Sequence, residues 1–123
     1  MLNTQELQQS DSTHYLHPFT DAKSLKKKGA RVITKAEGIY LWDSDGNRLL
    51  DGMAGLWCVN AGYGRKVLAQ TAMRQLEELP YYNTFFQTTH PPAVALSEKL
   101  AELSPPGFNR VFLVNSGSEA NDT

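Results

Sequence analysis

Residues 110–115, RVFLVN, constrain the fold of this chain more than any other stretch. Val111, Phe112, Leu113 and Val114 are consecutive and apolar, so they break the in–out alternation of a half-exposed strand. Such a run reads as a strand buried on both faces, as in a parallel sheet covered by helices. Ser116, Gly117 and Ser118 follow as a small-residue turn, and Glu119, Ala120 and Asn121 open a helix. Strand, tight turn and helix in that order form the repeating unit of an α/β sheet.

Upstream, the chain reads differently. Residues 1–14 are polar and glutamine-rich, and predict a loose or weakly helical arm. Residues 14–20, HYLHPFT, form an extended aromatic stretch. A short helix is expected over residues 21–29, with Asp21 or Thr20 near its start and Gly29 as its cap. Three short strands follow, over residues 30–36, 38–43 and 48–52. The last two are joined by Ser44, Asp45, Gly46 and Asn47, a hairpin turn in which Asp and Gly readily take left-handed conformations. Residues 53–64 hold three glycines around Trp57 without a clean period, and predict an irregular loop.

Two helices complete the pattern. The first covers residues 65–80, with Leu68, Ala72, Leu76 and Leu79 on one face and Pro80 as its stop. The second begins at Pro91 and Pro92, carries Leu96, Leu100 and Leu103 as a stripe, and closes at Pro105, Pro106 and Gly107. The aromatic stretch between them, residues 81–90, has no settled period and reads as a loop. The expected fold class is α/β with an α+β N-terminal part: an arm and an antiparallel β-meander leading into the start of a parallel sheet.

Charge and composition narrow the function classes. The 123 residues carry a net charge of −1, which gives no electrostatic case for nucleic acid or an anionic membrane as partner. Lys26, Lys27 and Lys28 read as a solvated helix end. Cys58 is the one cysteine, which excludes an intrachain disulfide, and its apolar neighbours Leu56, Trp57 and Val59 predict a packed side chain. His14, His17 and His90 have no metal-ligand spacing, so no metal is expected. Asp43, Asp45 and Asp51 read as turn and strand-end residues. The first twenty residues lack the basic start and apolar core of a signal peptide, and no run is long enough to cross a bilayer. A cytoplasmic protein is the expectation.

The chemistry lies in the serine turn. A helix N-terminus presents unpaired N–H groups and a partial positive charge. Small residues at Ser116, Gly117 and Ser118 let an anion approach the backbone, and two hydroxyls add donors. This is a phosphate cup; a plain turn with a serine N-cap is the other reading. No Gly-Lys-Ser/Thr follows, and the three-glycine dinucleotide spacing is absent.

Three stretches, GIYLWDSDGNRLLDGMAGLWCVNAGYGR, LPYYNTFFQTTHPP and NRVFLVNSGSEANDT, together resemble the N-terminal part of class III aminotransferases, which are pyridoxal-phosphate (PLP) enzymes of fold type I. Within that class they are most similar to ω-amino acid or amine:pyruvate transaminases, including those acting on putrescine and other polyamines. The resemblance implies that residues 1–63 are an arm, meander and active-site loop, and that residues 64–123 begin the large PLP-binding domain. It implies that Ser116, Gly117 and Ser118 bind the 5′-phosphate of pyridoxal 5′-phosphate. It implies that Phe19, Leu56, Trp57 and Phe85 line the substrate pocket, Phe85 reaching the active site of a partner subunit. A homodimer with shared active sites, acting on an amine and a keto acid, is the assembly it implies.

No catalytic residue is assigned within the chain. The family's enzymes need a lysine that bonds to the cofactor and moves a proton, and Lys23, Lys26, Lys27, Lys28, Lys35, Lys66 and Lys99 match no such motif. The expectation is an N-terminal portion of a longer enzyme, inactive alone, with its lysine downstream. A non-catalytic phosphate-binding or dimerisation module is the alternative from another class, and an aminomutase or decarboxylase relative the alternative within it.

Overall fold

The computed structural model describes residues 3–123 and divides into two units, one ending at Met73 and the other starting at Arg74. In the first unit the polar N-terminal stretch is a regular helix, α1 (Thr4–His14). Its start is fixed by Asn3, whose side-chain oxygen accepts the N–H groups of Gln5 and Glu6. Thr4 Oγ1 lies 2.8 Å from Ser44 Oγ and 3.0 Å from Asp45 Oδ1, which ties α1 to the hairpin turn. The arm is therefore more ordered than its polarity predicts, because it is capped and tethered.

Helix α2 (Ala22–Lys28) runs as expected: Asp21 accepts the Lys23 N–H, and Gly29 closes it at φ 76°. Lys26, Lys27 and Lys28 occupy its last turn, where cations complement the helix dipole. Gln8 of α1 reaches across to donate to the Ala30 carbonyl at 2.8 Å.

The sheet is the expected meander, β1 (Ile33–Glu37), β2 (Tyr40–Asp43) and β3 (Arg48–Leu50), antiparallel throughout. Lys35 faces Trp42, Glu37 faces Tyr40, and Trp42 faces Arg48. The register slips between Ile33 and Lys35. One face carries paired cations and rings: Lys35 Nζ sits 4.6 Å from the Trp42 ring, and the Arg48 guanidinium 4.6 Å from that of Tyr40. The other face carries Ala36, Leu41 and Leu49, all half-buried.

Asp43 builds the hairpin turn. Its Oδ1 accepts the N–H groups of Asp45 and Asn47, its Oδ2 accepts the Asn47 side-chain amide, and Gly46 at φ 85° donates to its carbonyl. It is the only buried side chain among the described residues. The hydrogen bond from Asn47 holds its carboxyl below the usual aspartate range; burial opposes this, and the nearby Arg31 guanidinium adds to it.

The short α3 (Ala54–Trp57) lies in the tryptophan loop, and helix α4 (Lys66–Glu78) crosses the division between the units. The second unit continues with a loop, then α5 (Pro91–Leu103), an irregular stretch and α6 (Gly117–Asp122). Here one expectation fails: residues 110–115 form no strand. A parallel strand exists through hydrogen bonds to its neighbours, and the only sheet among the described residues is the three-stranded meander. Phe112 and Leu113 are instead exposed.

The same lack of partners holds throughout. No apolar side chain is buried among the described residues, and Leu68, Leu76, Leu96 and Leu103 leave the helix stripes uncovered. A folded monomer of 13.7 kDa is expected to expose about 6,600 Å², whereas this chain exposes 11221 Å².

Asp43's carboxylate contribution to the hairpin is complete above the ordinary aspartate pKa and is lost as pH falls through its lowered folded value. Asn47→Ala removes the largest cause of that lowering. NMR titration of the Asp43 carboxyl should then show its midpoint moving up toward the ordinary range, with the turn amides losing exchange protection at a higher pH than in the parent.

Candidate functional site

The tryptophan loop is a turn of left-handed helix. Ala54, Gly55, Leu56 and Trp57 have φ of 49°, 59°, 60° and 70°. This segment, α3 (Ala54–Trp57), is closed by Trp57 N–H to the Met53 carbonyl and Cys58 N–H to the Ala54 carbonyl, both at 3.0 Å. Left-handed helical backbone costs an L-residue roughly 1–2 kcal/mol, and Ala54, Leu56 and Trp57 all carry a Cβ. The loop is thus irregular only in its hand.

Asp51, just after β3, meets that strain. Its Oδ1 accepts Met53 N–H at 2.9 Å; its Oδ2 accepts Gly55 N–H at 2.8 Å and the Tyr63 hydroxyl at 2.7 Å. Tyr63 is itself pinned to the sheet, since its N–H and C=O bond reciprocally with those of Gly38 at 2.8 and 3.1 Å. The tyrosine hydrogen bond holds the Asp51 carboxyl below its ordinary range, and the same bond raises the Tyr63 phenol. Gly55 is required twice over: its φ is positive, and a Cβ there would stand 2.8 Å from both the Tyr63 hydroxyl and a Val59 methyl.

What the turn displays is apolar. Leu56 is 65% exposed and Trp57 83%, in common with the other large apolar side chains of the described residues. Cys58 is exposed too, contrary to its expected burial, because no layer covers the loop among the described residues. Phe19 is fully exposed at φ 47°, after Pro18. Its approach is set by His17, whose Nε2 lies 2.9 Å from both Asp11 carboxylate oxygens, and by the edge-on packing of Tyr15 against His17.

In the second unit, Phe85 stands in a knotted loop. Asn83 Oδ1 accepts Phe85 N–H, and the Thr88 hydroxyl reaches the Phe85 carbonyl at 2.6 Å. Phe86 and Gln87 take φ of 55° and 65°, and Phe85 and Phe86 meet edge to face at 6.3 Å. His90 shapes the entry to α5 as its N-cap, accepting Ala93 N–H. Phe85 lines an open cleft of about 490 Å³ together with Tyr82, His90, Leu113 and Asn115.

Asn115 leads into the serine turn. Ser116 is the N-cap of α6, its Oγ accepting Glu119 N–H at 3.1 Å, while Glu119 Oε2 reaches back to Asn115 N–H at 3.0 Å. This is close to a capping box. The Gly117 and Ser118 N–H groups belong to the first helical turn, which has no carbonyl to receive them. Gly117 has an ordinary φ and open space where a Cβ would stand, so nothing within the chain demands glycine there.

Of the six non-glycine residues with positive φ among the described residues, Phe19, Leu56 and Trp57 are among those singled out from sequence as pocket-lining, and Phe86 adjoins a fourth, Phe85. Strained backbone of this kind clusters at functional positions. Sequence reasoning missed Asp51 and Tyr63 as partners. The available signal was an acidic residue four positions before Gly55, with a tyrosine between two later glycines. Among the described residues no group of His, Cys, Asp and Glu could hold a metal ion, and no helix is long and apolar enough to cross a membrane.

Residues 22–123 match the family described as aminotransferase class-III. The chain belongs to that family. It is 62% identical over 120 residues to a putrescine–pyruvate aminotransferase of Pseudomonas aeruginosa, covering 98% of this chain and 26% of the relative. A thermostable (S)-enantioselective ω-transaminase from Thermomicrobium roseum superposes at a TM-score of 0.94 and 40% identity, over 98% of this chain and 27% of that one. The ω-transaminase of Pseudomonas jessenii, in complex with PMP, matches at 0.89 and 40% over 94% and 26%. A tryptophan-to-glycine variant of a thermostable ω-transaminase, engineered for asymmetric synthesis of enantiopure bulky amines, matches at 0.89 and 39% over the same shares. The chain spans about a quarter of the length of these relatives. Class III aminotransferases are PLP-dependent, and the meander with its flanking helices is consistent with the N-terminal region of a fold type I transferase.

Gly55→Ala should destabilise the loop by about 1–3 kcal/mol, from strain at positive φ and displacement of Tyr63. Thermal unfolding of the full-length enzyme, with exchange protection read at Trp57 and Cys58, measures this.

Proposed function

We propose that the enzyme carrying this segment moves an amino group from an amine or ω-amino acid, putrescine among the candidates, to pyruvate or a similar keto acid. The single observation carrying this reading is the pairing of an anion-ready helix start at Gly117 with a glycine that nothing among the described residues requires. A residue so small, with ordinary φ and open space around it, is explained by a ligand that must come close to the backbone.

The residues fit a phosphate. The N–H groups of Gly117 and Ser118 and the hydroxyls of Ser116 and Ser118 would hold the cofactor's 5′-phosphate; the Ser116 oxygen already accepts from Glu119, so its proton remains to donate. The Glu119 carboxylate is turned back onto Asn115. Fixing the phosphate fixes the ring's position, a contribution through orientation. When bound, PLP supplies an electron sink for breaking the C–H bond beside the amine nitrogen. The lysine for proton transfer is assigned to no residue of this chain.

Leu56, Trp57 and Phe19 form an apolar wall in this reading, and Phe85 belongs to the active site of a partner subunit. The engineered tryptophan of the bulky-amine variant supports a tryptophan at that wall. Trp57 is the candidate, since Trp42 is committed to the sheet beneath Lys35. A homodimer with shared active sites and a cytoplasmic location belong to the same reading. The large uncovered apolar surface supports further protein against these residues.

The test is cofactor retention. In the full-length enzyme, Gly117→Val with Ser118→Val should weaken PLP affinity by about tenfold to a hundredfold. Equilibrium dialysis, followed by the cofactor's visible absorbance, measures it. Undiminished affinity sinks the reading.

Amine choice gives a second measurement. Trp57→Gly should raise kcat/KM for a bulky aromatic amine relative to putrescine by about tenfold, in amine–pyruvate assays of the same enzyme.

A further inference from the structure

We propose that Asp51 and Tyr63 are positioning residues for amine selection: one carboxylate, bound at once to the Gly55 N–H and the Tyr63 hydroxyl, keeps the Ala54–Trp57 turn left-handed and so fixes where Leu56 and Trp57 stand. The inference rests on the reading of Trp57 as pocket wall and extends it to residues that do not touch the amine.

Four observations converge. First, the turn is intrinsically unfavourable: Ala54, Leu56 and Trp57 all have positive φ. Its own hydrogen bonds, from Trp57 and Cys58 back to Met53 and Ala54, lie within the segment and tie it to nothing else. Second, Asp51 spans the turn's entry, with Oδ1 on Met53 and Oδ2 on Gly55. It enters from the sheet, its own N–H donating to the Ile39 carbonyl at 2.9 Å. Third, Tyr63 closes the far side, its hydroxyl 2.7 Å from the oxygen that holds Gly55. Its backbone exchanges two hydrogen bonds with Gly38, at the β1–β2 turn. Fourth, the space between the clamp and the turn is full: a Cβ on Gly55 would stand 2.8 Å from the tyrosine hydroxyl. The turn is therefore held from both sides by groups anchored in the sheet.

A left-handed turn displays its side chains differently from a right-handed one. If the clamp opens, the three L-residues relax toward negative φ and carry Leu56 and Trp57 to new positions. Substrate fit changes, while the serine turn, held by its own hydrogen bonds between Ser116 and Glu119 and between Glu119 and Asn115, keeps its cofactor. Asp51 and Tyr63 thus act on KM, amine by amine.

The experiment uses the full-length enzyme with PLP and pyruvate, and two amines, putrescine and 1-phenylethylamine. Tyr63→Phe keeps the ring and removes the clamp's donor; Asp51→Asn keeps the size and removes the charge. Each should change the ratio of kcat/KM between the amines by about tenfold, mostly through KM, with PLP occupancy by absorbance unchanged. In a Trp57→Ala background the change produced by Tyr63→Phe should shrink, because the clamp acts through that side chain.

A uniform loss for both amines, or a Tyr63→Phe effect of the same size with and without Trp57, overturns the proposal. So does an unaltered ratio in Tyr63→Phe and Asp51→Asn when Trp57→Ala alone alters it; the pocket reading then survives. An unaltered ratio in Trp57→Ala removes the pocket reading, and the proposal with it. Should Asp51→Asn fail to fold, Tyr63→Phe alone decides.

Discussion

A carboxylate that meets three donors at once underlies the loop proposed to line the substrate pocket. Asp51 accepts from two backbone N–H groups and one phenol within 2.9 Å, and this arrangement offsets the strain of a backbone wound the wrong way for L-residues. Hydrogen bonds to an ionised acceptor are among the stronger ones available. The loop's display of Leu56 and Trp57 depends on the sheet that carries Asp51, on the Gly38 turn that carries Tyr63, and on the absence of a side chain at Gly55. Fold and site meet at this point.

The second constraint is a lack of cover. The helices present apolar stripes and the stretch after α5 presents Val111 to Val114, yet no apolar side chain is buried among the described residues. Such surfaces are stable only against a partner layer. The relatives are about four times longer than the matched stretch, and the excess area is what a neighbouring layer in such proteins would be expected to cover. The meander, by contrast, holds through local pairing: its turn is closed by Asp43 and its outer face by cations resting on aromatic rings.

What was legible in the sequence follows this division. The hairpin could be read because Asp43, Gly46 and Asn47 act within five residues, and turn chemistry is local. The ends of α2 and α5 could be read because Asp21, Gly29, His90 and the paired prolines act within one helical turn. Helix α1 was underestimated, since its tether from Thr4 to Ser44 and Asp45 spans forty residues and leaves no periodic trace. The strand expected at residues 110–115 was read from a pattern that describes burial between neighbours, and no strand among the described residues pairs with it. Leu56 and Trp57 were proposed for the pocket by family likeness, but not the hand of the turn that holds them. That hand depends on Asp51 finding Tyr63 twelve positions away, which no local periodicity reports.

The two faces of the meander differ in a way that gives it a direction. On one, Lys35 and Arg48 already lie over Trp42 and Tyr40. Any layer settling there would have to displace two hydrated ions from their rings before gaining contact. On the reverse, Ala36, Leu41 and Leu49 offer short, uncharged side chains with nothing to move aside. The small sheet is in effect a one-sided adhesive, with one face open to a further layer at lower cost than the other.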